Sequence, residues 1–141
     1  MEISPEVTRE VVVDASPAEL WRLVTDEAEL ATWMADSVRL DPRPGGLARF
    51  SDGDDVRVGR VERVEEERRL DLVWWPEEGG PISEVSFSVE RVEEGTRLVV
   101  VERITGGVSL RGRSVASMWD DRLLGLELRC LVSASARVGL G

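Results

Sequence analysis

From Val38 to Ile104 the apolar residues change sides at every second position, and the breaks are clusters of Pro, Gly, Asp and Glu. A period of two places successive side chains on opposite faces of a strand, so this stretch reads as β-structure with one buried face. Strands are predicted over Val38–Leu40, Leu47–Phe50, Val56–Val64, Leu70–Trp74, Glu84–Glu90 and Thr96–Ile104. The turns between them are Asp41-Pro42-Arg43-Pro44-Gly45-Gly46, Ser51-Asp52-Gly53-Asp54-Asp55, Pro76-Glu77-Glu78-Gly79-Gly80-Pro81 and Glu93-Glu94-Gly95. Links this short join antiparallel neighbours. The alternation is cleanest in Glu84–Glu90, with Val85, Phe87 and Val89 inward. It slips between Val58 and Val61, which predicts a bulge near Gly59.

Helices flank the strands. A β-branched run over 7–13 is a first strand. Ser16, Pro17 and Glu19 then form a strong helix start: an N-cap, a proline in the first turn and a capping-box glutamate. Leu20, Trp21, Leu23 and Val24 give that helix its apolar face. A second short helix is predicted over 27–34, with Leu30, Trp33 and Met34 inward. Gly106-Gly107 opens a loop, and a long helix follows from about Arg113 to Val132. Trp119, Leu123, Leu126 and Cys130 recur at helical spacing. Val115, Met118, Leu124, Leu128 and Leu131 are expected to widen that stripe. Ser133 to Gly141 reads as a fraying tail. The predicted fold is α+β, one domain over 1–141. A curved antiparallel sheet of about seven strands wraps the long C-terminal helix, and two short helices follow the first strand.

The chain contains no His, Lys, Tyr, Asn or Gln, so all 18 basic residues are Arg, set against 28 Asp and Glu. These gaps exclude a Ser-His-Asp triad, a Schiff-base lysine and an imidazole metal ligand. No cofactor is predicted. No metal site is predicted either, because Asp52-Gly53-Asp54-Asp55 lacks the spacing and closing Glu of a calcium loop. A net charge of −10 is wrong for nucleic acid or anionic lipid. No run is long and apolar enough for a membrane span. With one cysteine and no basic-then-apolar start, the chain is expected to be cytoplasmic. Cys130, on the apolar stripe, reads as a buried structural thiol.

Five stretches carry a resemblance. They are Arg9 to Pro17 with Trp21, Leu30-Ala31-Thr32-Trp33-Met34, Asp41 to Gly46, Gly95-Thr96-Arg97-Leu98, and Met118-Trp119 to Leu126. In that order and spacing they resemble the SRPBCC (START-like, helix-grip) superfamily. More narrowly, they resemble the family of the C-terminal domain of the activator of the 90-kDa heat-shock-protein ATPase. The resemblance implies a hydrophobic cavity between the long helix and the sheet, where members bind lipids, hormones or polyketides and a few catalyse cyclisation or dehydration. Fold alone does not choose among these functions.

Strand parity nominates the cavity residues. Leu98, Val100 and Glu102 share a face, as do Arg9, Val11 and Val13. Arg60 shares a face with Val56 and Val58 unless the bulge flips it. Trp74 shares parity with Leu70 and Leu72, and Trp75 points the other way. The predicted ligand-binding residues are Arg9, Trp33, Arg60, Trp74, Glu102, Trp119 and Leu123. No catalytic residue is assigned. The expected function is binding of an apolar small molecule, a lipid, polyketide or similar. One alternative is a polyketide cyclase or dehydratase using Glu102 with an Arg, although missing His and Tyr tilt against it. The other is a protein-interaction module, such as a chaperone partner, with a homodimer or another protein as its partner.

Overall fold

In the computed structural model the backbone is described for residues 6–105 and 115–139, and the side chains for 6–105 and 115–131. The order of elements is β1 (Glu6–Val13), α1 (Pro17–Thr25), α2 (Glu27–Leu30), β2 (Ser37–Leu40), β3 (Leu47–Asp52), β4 (Asp55–Glu65), β5 (Arg69–Pro76), β6 (Ser83–Val92), β7 (Gly95–Ile104) and α3 (Val115–Gly139). The seven strands form one antiparallel curved sheet in the order β1-β7-β6-β5-β4-β3-β2. Strands β2 to β7 are a meander of hairpins. β1 closes the far edge by pairing with β7, so α1 and α2 carry the chain from one edge of the sheet to the other.

Local chemistry explains the helix starts. The Ser16 hydroxyl accepts from the Glu19 amide at 3.1 Å, and the Glu19 carboxylate accepts from the Ser16 amide at 3.3 Å. This capping box satisfies two amides that have no intrahelical partner. Asp26 caps α2 in the same way, accepting from the Glu29 amide at 3.1 Å. α2 is shorter than expected and ends at Leu30. The amide of Thr32 bonds to the Glu29 carbonyl, three residues back, so the last turn tightens and the helix stops. Trp33 and Met34 are buried all the same.

Three further expectations change. The bulge in β4 lies between Val61 and Arg63, not near Gly59. Gly59 keeps regular pairing with Trp74, and a Cβ there would lie 1.9 Å from the Val73 carbonyl oxygen. The glycine therefore permits a close approach of two strands rather than marking an extra residue. α3 runs to Gly139, beyond Val132. Ala134 and Ala136 favour helix, and no Gly or Pro interrupts between Leu126 and Val138. The expected start at Arg113 and the Gly106-Gly107 loop lie outside the described residues.

The inner stripe of α3 is also narrower than expected. Trp119, Leu123, Leu126 and Cys130 are buried, but Leu124, Leu128 and Leu131 are 56%, 55% and 58% exposed. At 3.6 residues per turn, Leu124 and Leu128 fall about 140° and 180° from Trp119, on the opposite side of the helix. The core therefore lies between one stripe of α3 and the concave face of the sheet. Val85, Phe87 and Val89 of β6, Leu98 and Val100 of β7, and Leu70, Leu72 and Trp74 of β5 supply that face. Leu20, Leu23, Val24 and Leu30 close one end from α1 and α2.

Candidate functional site

The polar centre of the concave face is Glu102. It is 3% exposed and sits on β7, beside Val85 of β6 and Val7 of β1. A buried carboxylate must have its charge and lone pairs met. Trp119 of α3 donates its indole N–H to Oε1 at 2.9 Å, and Trp74 of β5 donates to Oε2 at 3.3 Å. The two indoles are stacked, with centroids 6.1 Å apart and planes 9° from parallel. Phe50 meets Trp74 edge-on at 5.3 Å, and Phe87 meets Trp119 edge-on at 5.7 Å. These rings occupy the space beneath α3.

Two guanidiniums complete the cluster. Arg57 of β4 approaches Glu102 to 3.9 Å and lies 5.4 Å from the Trp74 ring centroid. Its buried Nε has no hydrogen-bond partner, and its ion pair with Asp55 is long at 3.9 Å. Arg122 of α3 lies over both indoles, 5.1 Å from the Trp119 centroid and 5.9 Å from that of Trp74. Such geometry suits cation–π attraction. Burial pushes the Arg122 guanidinium below its ordinary pKa, and the charge of Arg57 adds to that shift.

A pocket of about 330 Å3 opens beside this cluster, between the turn that follows α2, the β3–β4 hairpin and α3. Trp33, Met34, Asp36, Asp52, Asp121 and Arg122 line it. Trp33 is fixed there by its indole N–H, which donates to the Leu23 carbonyl at 2.8 Å. A second hollow, of about 600 Å3, lies on the outer face of the sheet, where Arg69, Asp71, Ser86, Ser88 and Arg103 are among its walls. Among the described residues, no group of three or more His, Cys, Asp or Glu is placed to hold a metal.

Of the residues nominated from sequence, Trp74, Glu102 and Trp119 meet at one point. Leu123 lies buried on the same stripe of α3, and Trp33 forms part of the pocket wall. Arg9 has the expected parity but stops at the rim, bonded to Asp120 of α3 at 2.8 Å with its side chain 40% exposed. Arg60 is on the other face of the sheet. Its side chain is 61% exposed and pairs with Glu62 at 3.1 Å. No bulge falls between Val56 and Val61, so Arg60 does share a face with Val56 and Val58, but that face is the outer one, and Arg57, Gly59 and Val61 occupy the inner positions. Arg57 and Arg122 were not among the nominated residues. Buried Val61 and Gly59 carried the signal for Arg57. Arg122 falls about 60° from Trp119 on a helical wheel, at the edge of the inner stripe.

A curved seven-stranded sheet closed over one C-terminal helix defines a helix-grip protein of the SRPBCC type. Residues 14–126 match the family described as Activator of Hsp90 ATPase homolog 1-like protein, and the chain belongs to that family. Among solved structures, it is similar to DynU16, a protein in the dynemicin biosynthetic locus, with 27% identity and a TM-score of 0.78. That match covers 86% of this chain and 45% of DynU16, so the chain spans less than half of that protein. CalU16 from Micromonospora echinospora is 26% identical with a TM-score of 0.73, over 89% of this chain and 75% of its own. The Aha1 dimer from Colwellia psychrerythraea shares the fold at 17% identity, with a TM-score of 0.73 over 89% of this chain and 96% of its own. No curated protein matches the chain by sequence. Among the described residues, no helix is long and apolar enough to cross a membrane.

Proposed function

We propose that the protein binds an apolar small molecule, a lipid, polyketide or similar ligand, which enters between α3 and the sheet at the pocket beside Arg122. The observation that carries this reading is the pocket itself. Its volume of about 330 Å3 falls in the range of small-molecule sites, and its inner wall runs from Trp33 and Arg122 directly to the Trp74–Trp119 stack. The rings beneath α3 are packed together, so the ligand either stays in the mouth or parts them on entry. The likeness to DynU16 supports the same reading, since that protein lies in a biosynthetic locus for a small molecule.

Binding is favoured over proton-transfer catalysis. Both Glu102 oxygens already accept indole N–H donors, and the chain has no His, Lys or Tyr to share the work. A titration with fatty acids, flavonoids and aromatic polyketides, read by tryptophan fluorescence, tests the reading. Saturable quenching or a spectral shift by at least one class is expected. A flat response to all of them contradicts it.

A further inference from the structure

Arg122 is an unusual side chain for its position. It is half-buried and makes no hydrogen bond or ion pair with another described residue; what it meets are the faces of Trp74 and Trp119. A guanidinium carries five N–H donors and no acceptor. The indoles cover one face of it, and cation–π attraction leaves the in-plane donors unmet. Arg122 stands in the wall of an open pocket, and a ligand that fills the pocket takes water from these donors, so it has to offer an acceptor in that water's place.

The surrounding charges decide what kind of acceptor. Asp36, Asp52 and Asp121 line the same pocket, so its wall carries three acidic side chains beside one guanidinium. Asp36 accepts from the Gly53 amide at 3.2 Å, which holds its side chain at the mouth. A carboxylate ligand would meet Arg122 but would also enter the field of those three anions. A cationic ligand would be set against Arg122 and, behind it, Arg57 over the same Trp74 ring. A pure hydrocarbon would leave the Arg122 donors unsatisfied.

We infer that the ligand is uncharged and presents a carbonyl oxygen to Arg122. This rests on the binding reading above and narrows it from apolar molecules in general to neutral ketones, esters, lactones and quinones. It also makes Arg122 the specificity-determining residue of the site.

Three matched probes test it: flavone, which has the carbonyl; flavan, which lacks it; and a flavone carboxylate, which adds an anion. Binding is measured by calorimetry and tryptophan fluorescence on the full chain and on Arg122→Met and Arg122→Lys, each first checked for a native circular dichroism spectrum. Flavone is expected to bind roughly tenfold or more tightly than flavan and than the carboxylate, the size of one good hydrogen bond to a charged donor. Arg122→Met is expected to erase the advantage of flavone over flavan, and Arg122→Lys to restore part of it. A carboxylate that binds as well as flavone, or a flavone-to-flavan ratio unchanged in Arg122→Met, overturns the inference while leaving the binding reading intact. If none of the three binds, and fatty acids and aromatic polyketides do not bind either, both fall together. If Arg122→Met does not fold, the ratios among the three probes on the unaltered chain decide.

Discussion

Trp119 donates its indole N–H to Glu102 across 2.9 Å, and both side chains are closed to water. The contact joins the middle of α3 to the last strand of the sheet. It is made by a neutral donor, and Arg57 at 3.9 Å is the ion-pair partner of the carboxylate among the described residues. Trp74 holds the second oxygen. One buried carboxylate thus fixes the relative position of β5, β7 and α3.

Removing that carboxylate should be expensive. Glu102→Ala leaves two buried indole N–H groups and Arg57 without their acceptor, and is expected to cost about 3–5 kcal/mol. Glu102→Gln keeps one acceptor oxygen and is expected to cost about 1–3 kcal/mol. Urea denaturation of the three proteins checks this. A Glu102→Ala protein as stable as the parent would show that the cluster does not hold the helix on the sheet.

The two sides of α3 should respond oppositely. Leu126 is fully buried, and Leu126→Ala is expected to cost about 2–5 kcal/mol. Leu128 is 55% exposed, and Leu128→Ser is expected to change stability by no more than about 0.5 kcal/mol. Denaturation midpoints of the pair separate the faces. A large loss at Leu128 would mean that the outer side of the helix is covered in solution.

Two glycines should differ for separate reasons. Gly53 has a φ of 62° with open space around its missing Cβ, so Gly53→Ala is expected to cost only about 1–2 kcal/mol of backbone strain. A Cβ on Gly59 would collide with the Val73 carbonyl oxygen, and two paired strands must separate to admit it. Gly59→Ala is expected to cost about 3 kcal/mol or more, toward the upper end for overpacking. Melting temperatures check the order, which reverses if β4 and β5 can part easily.

Most of the fold was legible in the sequence because it rests on local signals. The capping box at Ser16 and Glu19, the Pro-Gly turn at 41–46 and the alternation of Val85, Phe87 and Val89 each need only neighbouring residues to be read. What was missed depends on distant partners. Whether β4 slips at Gly59 or after Val61 is decided by its register with β5, and the later slip puts Arg57 on the face of buried Val61 and leaves Val56, Val58 and Arg60 on the other. Arg122 was hidden for a related reason. A charged residue at the edge of an apolar stripe looks solvated until the indole it covers is known. Leu124, Leu128 and Leu131 show the converse, since apolar residues on a helix need not share one face.

The five tryptophans allow the binding site to be located directly. Each gives one indole N–H signal in a proton–nitrogen correlation spectrum of labelled protein, and single Trp→Phe variants assign them. On titration with flavone, the signals of Trp119 and Trp33 are expected to shift saturably, while that of Trp75, which has outward strand parity, stays fixed. Shifts confined to the amides of Ser86, Ser88 and Val101 would place the ligand in the outer hollow and contradict binding between α3 and the sheet.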